Sequence, residues 1–305
     1  MITFVICSVC PERSADVARN IRSTSGIAEP EIFIHDNREV NWSLCKVYNH
    51  YSPKASNDII CYVHEDLYFR TRDWAEKIVS FYRDNPDTGV VGFLGSQIKT
   101  KAPSAVGCDP KYELGSLIQH TADGRGKMYT KKSGPGAFSR VVQIDGLCLI
   151  VRKSVHNKYP FDERLFDGFH LYDLDFTVRI AQYYKNYVCH SVMVEHMSTT
   201  AAYALDDWCY YTRVFQDNWA DKLPMMSVSV TARELMRVER FTAYKFYKNI
   251  IQKGRLEYVD YAREMYKPYA TFLYDLKLLR HRLRLRKVLK DKLGLLLRNI
   301  RIAWL

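Results

Sequence analysis

Residues 59–66 read Ile-Ile-Cys-Tyr-Val-His-Glu-Asp, an apolar run that ends abruptly in three ionisable side chains. The β-branched and aromatic residues of the run are typical of a buried strand in an α/β sheet. Ligands of open α/β sheets bind at the carboxyl edge of the strands, where His64, Glu65 and Asp66 would then lie. Acidic side chains at that edge suit a hard divalent cation that also contacts phosphate. The alternative interpretation is a solvated turn or a helix start.

Strand-like and helix-like patterns alternate on both sides of this stretch. Strands are predicted over 2–9, 31–35, 58–63 and 88–94, and helices over 14–24, 41–52 and 71–84. This alternation predicts an α/β fold with a mostly parallel sheet, right-handed crossovers and flanking helices. It stops at residues 97–139, which are rich in Gly, Ser, Pro and Lys. We interpret that segment as a long loop, either functional or disordered.

Regular patterns resume after this segment. A strand is predicted over 141–151, interrupted by Asp145-Gly146, and another over 187–194, followed by Glu195-His196. Between them a helix begins near Asp173 and Asp175, since acids are favoured at helix starts, and Asp175 is expected to pair with Arg179. From about Leu205 onward the pattern is helical.

Composition permits one large domain, or a domain with an appendage. The chain has 305 residues, of which 47% are hydrophobic. Its eight cysteines are scattered, and the one CxxC, Cys7 to Cys10, has no second pair, so neither a zinc site nor a disulfide framework is indicated. The N-terminus lacks a basic leader region, and no run approaches the roughly 20 apolar residues of a membrane span. A reducing, cytoplasmic location is expected.

The positive charge is concentrated at the C-terminus. The net charge is +11, and residues 276–305 hold ten Lys or Arg with one acid, Asp291. Apolar residues in this segment share one helix face: Leu285, Leu289, Leu293, Leu296 and Ile300. A basic amphipathic helix of this kind lies on an anionic membrane surface, here the inner face of a membrane. Alternatively the apolar face packs onto the body or onto a second subunit, which would make the protein an oligomer. The nearly neutral body argues against nucleic-acid binding.

Several short motifs follow one another in residues 1–224. They are Tyr48-Asn49, Val63-His64-Glu65-Asp66, Asp145-Gly146 with Val151-Arg152-Lys153, Phe161-Asp162-Glu163, Tyr172-Asp173-Leu174-Asp175, His196, Trp219 and Leu223-Pro224. Their order resembles glycosyltransferase family 2 enzymes with a GT-A fold. The likeness is greatest to the glycosyltransferase-like group named after the streptomycin biosynthesis protein StrF. The resemblance implies a GT-A domain over 1–224, followed by a helical, basic region over 225–305.

The resemblance also implies roles on the donor side. Asp66, the last acid at the position of the family's DXD motif, would coordinate Mn²⁺ or Mg²⁺ on a nucleotide-diphosphate sugar of UDP or dTDP type. His196 matches the histidine that completes this metal site. The remaining donor-site residues would be Asp36, near the nucleotide base, together with Asn49, His64 and Glu65.

On the acceptor side, Asp173 matches the second acid of the family's "ED" motif, the catalytic base. Asp145, Gly146 and Tyr172 would line the acceptor pocket. The chain departs from the family pattern at two positions: His64 stands where DXD has its first acid, and Tyr172 stands where "ED" has its first acid.

The function implied is a metal-dependent, inverting glycosyltransferase of hexosyl type that acts on a hydroxyl of a glycan or lipid-linked acceptor, as in polysaccharide biosynthesis. Such a transfer needs a base for the acceptor hydroxyl and a cation to offset charge on the leaving diphosphate. A nucleotidyltransferase is the second enzymatic hypothesis, but residues 8–12 lack the Gly-rich phosphate loop usual after its first strand. A non-catalytic protein whose basic tail binds membrane or nucleic acid is the third.

Overall fold

The structure is a computed structural model that describes residues 1–120, 126–131, 136–197 and 205–281. The chain forms two compact units. The first comprises Met1–Lys99 and Ala105–Ser229, and the second comprises Thr100–Ser104 and the chain from Val230 onward. The predicted division at residue 224 falls within the last residues of the first unit.

The first unit contains fifteen strands and six helices within the described residues. The strands are β1 (Ile2–Ser8), β2 (Glu31–Asp36), β3 (Ile59–His64), β4 (Leu67–Phe69), β5 (Thr88–Gly92), β6 (Leu94–Ser96), β7 (Ile98–Lys99), β8 (Glu113–His120), β9 (Gly126–Lys131), β10 (Phe138–Val141), β11 (Gln143–Ile144), β12 (Cys148–Arg152), β13 (Lys185–Cys189), β14 (Val194–His196) and β15 (Met225–Met226). The helices are α1 (Pro11–Thr24), α2 (Leu44–Tyr51), α3 (Trp74–Asp84), α4 (Lys153–Lys158), α5 (Tyr172–Ala181) and α6 (Leu205–Trp219).

A seven-stranded sheet lies at the centre, in the order β10-β13-β5-β12-β3-β1-β2. Its β1–β2, β1–β3 and β5–β13 pairs are parallel, whereas β12 runs antiparallel to β3 and β5, and β10 runs antiparallel to β13. Only β10 and β12 run opposite to the other five strands, so the predicted mostly parallel sheet is confirmed. In register, Ser8 of β1 lies opposite Asp36 of β2, and Cys7 lies opposite His64 of β3. The polar ends of these strands therefore meet at one edge of the sheet.

Helices cover both faces of this sheet, which is why its inner strands β1, β3, β5 and β12 are buried over almost their whole length. Phe4 and Ile6 of β1 pack in one core cluster with α1 and α3, where Trp74 is fully buried. Val5, between them in sequence, packs in the other cluster with α2, α5 and α6. Successive side chains of a strand point to opposite faces, so β1 supplies both cores.

A second sheet corrects the interpretation of residues 97–139 as a long loop. Its strand order is β11-β6-β8-β14-β4, and β9 pairs with β8 as a hairpin. Gly and Ser within 113–120 obscure the strand in the sequence, because these residues are poor strand formers. Within the predicted loop, residues 121–125 and 132–135 lie outside the described residues.

The second sheet also divides two predicted strands. The predicted strand 141–151 becomes β11 in the second sheet and β12 in the central sheet, and Asp145-Gly146 lies where the chain crosses between them. The predicted strand 187–194 becomes β13 in the central sheet and β14 in the second sheet. Apolar runs cannot show which sheet they enter, because both sheets bury similar residues.

The second unit is helical. It contains α7 (Ala232–Lys253), α8 (Val259–Tyr266) and a further helix over the described residues 272–281. Buried Glu239 of α7 accepts hydrogen bonds from the backbone N–H groups of Lys101 and Ala102, at 2.8 and 2.9 Å. In the described part of the chain, no helix combines the length and apolar character of a membrane span. Most of the predicted amphipathic segment 276–305 lies outside the described residues, from 282 onward.

Candidate active site

Three side chains meet where the two sheets of the first unit approach each other. His64 ends β3, Asp66 follows in the turn to β4, and His196 ends β14. One potential ligand atom from each residue lies within 4.8 Å of the other two, and His196 Nε2 lies 3.3 Å from Asp66 Oδ1. The antiparallel pairing of β14 with β4 brings His196 to this turn, and Met197 N–H donates to the carbonyl of Asp66 at 2.8 Å.

Hydrogen bonds orient both imidazole rings of this cluster. His196 Nδ1 lies 3.0 Å from Gln119 Oε1, and its Nε2 faces Asp66 Oδ1 at 3.3 Å. His64 Nε2 lies 3.0 Å from the Tyr172 hydroxyl, which itself donates to the carbonyl of Gly146 at 3.3 Å. The Tyr172 hydroxyl thereby holds the His64 ring in place. Metal-binding histidines are commonly fixed by such a bond on their second nitrogen.

Burial and the pairing of Asp66 with His196 set the charge states of the cluster. Burial lowers the pKa of His64, which favours the neutral ring that binds metals. Burial acts to raise the pKa of Asp66, but the hydrogen bond and charge of His196 outweigh it, and the pKa is lowered. For His196, burial acts to lower the pKa, but the hydrogen bond and charge of Asp66 raise it overall. The cluster thus offers one carboxylate and two imidazole nitrogens as ligands.

Asp173 lies in the first turn of α5, beside this cluster. Its Oδ2 accepts a hydrogen bond from Gly146 N–H at 2.7 Å, and a Cβ on Gly146 would lie 2.3 Å from the Tyr172 hydroxyl oxygen. Only glycine therefore allows this approach of the loop to α5. Burial, together with the charge of Asp145, raises the pKa of Asp173 to about 7. A carboxyl group with a pKa near neutrality is suited to accept a proton from a hydroxyl group.

Glu65 does not join the candidate metal-binding cluster. Its Oε2 accepts hydrogen bonds from Ser8 Oγ at 2.6 Å, from Val9 N–H at 3.1 Å and from Cys10 N–H at 3.0 Å. Glu65 therefore holds the loop between β1 and α1 at the carboxyl edge of the sheet. A direct contact with the donor stays a prediction.

Asp36 and Asn49 lie away from the cluster. Asp36 is exposed at the end of β2 and pairs with Arg38 at 2.6 Å, whose hydrogen bonds lower the pKa of Asp36 to about 2. Asn49 Oδ1 accepts a hydrogen bond from Phe161 N–H at 3.0 Å and lies 3.1 Å from His156 Nε2. The amide nitrogen of Asn49 donates to the carbonyl of Phe161 at 2.9 Å. This placement gives Asn49 a structural role between α2 and the loop before residue 162, so its contact with the donor also stays a prediction.

Asp175 has the structural role expected of it. Its carboxylate is buried and binds Arg179 at 2.7 Å and the indole N–H of Trp219 at 2.9 Å, so the predicted pairing with Arg179 is confirmed. Sequence reasoning missed Gln119 as the partner of His196, because it lies in a strand that the pattern did not reveal. It also missed the bond between His64 and Tyr172, two positions singled out only as departures from the family pattern.

Comparisons with known proteins agree with this architecture. A profile of the glycosyltransferase like family matches residues 1–223. TarS of S. aureus is similar in structure, with a TM-score of 0.52 and 10% identity, over 90% of this chain and 50% of that chain. The chain thus spans about half the length of TarS. No curated protein matches it in sequence.

Two structures with bound ligands match at lower similarity. TarS 1–349 in complex with UDP-GlcNAc has a TM-score of 0.48 and 10% identity, over 90% of this chain and 83% of that chain. GalNAc-T7 with UDP, GalNAc and Mn²⁺ also has a TM-score of 0.48 and 10% identity, over 90% of this chain and 57% of that chain. The match of the family profile covers most of the chain, and the sheet topology agrees with it. The chain therefore belongs to the glycosyltransferase-like family and has a GT-A fold.

Proposed function

We propose that the protein is a metal-dependent glycosyltransferase that moves a sugar from a nucleotide-diphosphate sugar to an acceptor hydroxyl with inversion. The observation that carries the proposal is the joining of two sites by hydrogen bonds. His64 of the candidate metal site is hydrogen-bonded to the Tyr172 hydroxyl. That hydroxyl and the carboxyl group of Asp173 both bond the backbone of Gly146, and the pKa of Asp173 is near neutral. The family match supports sugar transfer, and a UDP- or dTDP-linked donor is part of this proposal.

Each part of the site would perform one task. Asp66 and His196 would hold a divalent cation, which offsets the charge that builds on the leaving diphosphate. Asp173 would accept the proton of the acceptor hydroxyl as its oxygen attacks the anomeric carbon. Gly146 N–H and the start of α5 hold Asp173 in place for this step. A single displacement inverts the anomeric centre and needs only one such base.

A donor screen tests this function directly. Thermal unfolding is followed with a panel of UDP- and dTDP-sugars, with Mn²⁺ or with EDTA, because a ligand that binds only the folded state raises the melting temperature. One donor should stabilise the wild-type chain with Mn²⁺ and not with EDTA. Calorimetry with that donor should show that Asp66→Ala removes the metal-dependent part of binding, whereas Asp217→Asn, at an exposed position of α6, keeps it. Unchanged metal-dependent donor affinity in Asp66→Ala would exclude the metal role of Asp66.

The released product distinguishes the proposed function from nucleotidyl transfer. Glycosyl transfer or hydrolysis of the donor releases a nucleoside diphosphate, whereas nucleotidyl transfer releases pyrophosphate. The loop after β1 supports glycosyl transfer, because Ser8, Val9 and Cys10 are held there by Glu65 and provide no glycine for a phosphate loop. Pyrophosphate as the product would replace the proposal.

We also propose that the basic C-terminal region holds the enzyme on the inner face of an anionic membrane, where it meets a lipid-linked acceptor. In the described helix over 272–281, Phe272 and Leu273 have 79% and 61% of their surface exposed, and Leu276 and Leu279 have 47% and 52%. Residues 276–305 add ten Lys or Arg, each worth about 1 kcal/mol near an anionic surface. Exposed apolar side chains next to basic ones suit the headgroup region of a bilayer.

Liposome flotation tests the membrane proposal separately from catalysis. The full chain should float with vesicles that contain phosphatidylserine, and less so at high salt. It should not float with neutral phosphatidylcholine vesicles. A chain that ends near Leu276 should stay in the bottom fraction of the gradient with either lipid. Equal flotation of both chains would exclude the tail as the membrane-binding element and leave the catalytic proposal intact.

A further inference from the structure

We infer that the exposed ring of Phe169 is the surface on which a sugar ring of the acceptor stacks, and that the accepting hydroxyl therefore belongs to a carbohydrate. This assignment rests on the proposed function and deepens it, because it names the class of acceptor that the site receives. Tyr211 of α6 fixes the shape of the loop that carries Phe169.

Phe169 lies in the loop before α5, next to the groups that would carry out the transfer. The centroid of its ring is 5.8 Å from that of the His64 ring, with 38° between the two planes. His64 is hydrogen-bonded to the Tyr172 hydroxyl. That hydroxyl and the carboxyl group of Asp173, the proposed base, both bond the backbone of Gly146. Yet 51% of the surface of Phe169 is exposed, so an apolar ring faces solvent at the edge of the candidate active site.

Contacts with α6 hold this loop on the N-terminal side of Phe169. Phe166 is buried and packs against Tyr211, with 6.2 Å between the ring centroids. The Tyr211 hydroxyl donates to Asp167 Oδ1 at 2.6 Å. A Cβ on Gly168 would lie 2.6 Å from that hydroxyl oxygen, so a side chain at this position would displace the tyrosine. Three consecutive residues therefore rest on one tyrosine of α6.

The backbone holds the loop on the C-terminal side. Leu171 is buried and has a φ of 63°, a conformation that is uncommon for residues other than glycine. Its carbonyl accepts a hydrogen bond from the N–H of Asp175 at 3.0 Å, in the first turn of α5. Such a conformation persists only where the surrounding contacts impose it. Phe169 is thus exposed on a fixed loop, and a ligand that stacks on it does not have to order the loop first.

An exposed phenyl face selects a ligand that has a flat apolar face of its own. One face of a pyranose ring bears mainly C–H groups, whereas its hydroxyl groups point outward from the ring. The face of an aromatic ring is negative and attracts the weakly positive hydrogens of such a C–H face. The hydroxyl of a serine side chain, or of an alcohol at the end of a lipid chain, offers no comparable face. A stacked sugar also holds its hydroxyl groups in fixed directions, which favours transfer.

The position of Phe169 in the chain assigns the stacked sugar to the acceptor. Phe169 precedes the proposed base, Asp173, by four positions, and the same fixed segment carries both. The base must contact the accepting hydroxyl. The groups proposed to hold the donor through a cation, Asp66 and His196, come instead from the turn after β3 and from β14. A sugar on Phe169 would therefore lie on the side of the base.

Kinetics with defined glycosides test this inference. Release of nucleoside diphosphate is measured with Mn²⁺ and the donor found in the screen, without acceptor, with a panel of octyl glycosides, and with 1-octanol. At least one octyl glycoside should raise release above donor hydrolysis, and 1-octanol, which has the same chain without a sugar, should not.

Substitutions at position 169 then test the ring itself. Phe169→Leu keeps an apolar side chain but removes the aromatic face, so it should raise the KM for that glycoside about 5- to 10-fold. Phe169→Tyr keeps the face and should have the KM of the wild type. Donor affinity, measured by calorimetry, should be unchanged in both variants. Tyr183→Leu, at a surface tyrosine with 62% of its surface exposed, is the matched control and should change neither quantity.

A double-mutant comparison tests whether Tyr211 positions the loop. Tyr211→Phe keeps the ring that packs against Phe166 but removes the hydroxyl that bonds Asp167. It should raise the KM for the glycoside in the wild-type chain, leave kcat little changed, and add little in the Phe169→Leu chain. Thermal unfolding shows that each variant is folded. Equal increases in KM in both chains would refute the positioning role.

The outcomes separate this inference from the proposed function. If no glycoside of the panel raises release above donor hydrolysis, the acceptor class is wrong and the proposed function stands. An unchanged KM in Phe169→Leu would exclude the stacking role. A loss of donor affinity as large as the loss for the glycoside would assign the ring to the donor and overturn the inference. If the wild-type chain neither binds nor hydrolyses any donor, both the inference and the proposed function are wrong.

Discussion

Replacement of Asp173 by asparagine should lower turnover and raise stability at the same time. The folded protein keeps the proton of this carboxyl up to a pH of about 7, whereas the unfolded chain loses it near pH 3.9. Ionisation therefore destabilises the fold as the pH rises from about 4 to about 7. An asparagine side chain does not ionise, so at pH 8 the variant escapes this destabilisation.

The size of the stability gain follows from the shift in pKa. The pKa of Asp173 rises from 3.8 to about 7, and a tenfold change in an equilibrium constant corresponds to about 1.36 kcal/mol, so the ceiling is about 4 kcal/mol. Asp173 is only half-buried, and solvent screening reduces this value. We expect a gain of about 1–3 kcal/mol at pH 8 in the free energy of unfolding. For a protein of this size the melting temperature should rise by roughly 2–4 °C per kcal/mol.

The loss of turnover follows from the loss of the base. The amide of the substituted side chain retains an oxygen for Gly146 N–H but cannot accept the proton of the acceptor hydroxyl. Turnover at pH 8 should fall by about 10²-fold or more, with donor affinity little changed. In the wild-type enzyme, kcat/KM should rise with pH through about 7 and level off above it, because only the carboxylate form is active.

Thermal unfolding between pH 4.5 and 8 and initial-rate kinetics over the same range measure both effects. The difference in melting temperature should shrink as the pH is lowered, because the carboxyl is then protonated in the folded wild-type chain too. Asp217→Asn, exposed on α6, is the control and should change neither quantity. Near-normal turnover of Asp173→Asn, or an equal melting temperature at pH 8, would contradict the assignment.

Three further substitutions have defined outcomes. Asp175→Ala should lower the free energy of unfolding by about 3–5 kcal/mol, measured by urea denaturation, because it removes a buried carboxylate that pairs with the partly buried Arg179 and accepts from the buried indole N–H of Trp219. Gly146→Ala should reduce turnover far more than donor binding, since its Cβ would lie 2.3 Å from the Tyr172 hydroxyl oxygen; wild-type kinetics would show that the loop adjusts. Glu65→Ala should destabilise the fold by about 1–3 kcal/mol, because two backbone N–H groups and a hydroxyl lose their acceptor, and an unchanged urea midpoint would refute this.

Several features of the protein follow from the sequence alone. The alternation of apolar strands with amphipathic helices in the first hundred residues determines a mostly parallel sheet covered on both faces, because side-chain period and strand length are local properties. The abrupt end of β3 in His64, Glu65 and Asp66 places polar groups at the carboxyl edge. The acids at the start of α5 are likewise predictable, and so is the pairing of Asp175 with Arg179 one turn later.

The tertiary structure alone decided how these groups combine. Residues 113–120 form β8 although their sequence indicates a loop, since pairing with β6, β9 and β14 outweighs the weak strand preference of Gly and Ser. That pairing places Gln119 beside His196, and the turn after β3 places Asp66 beside it. The bond of His64 to Tyr172 spans 108 positions in the chain. No local pattern records such a contact, because side chains that are far apart in sequence meet only through the packing of the two sheets.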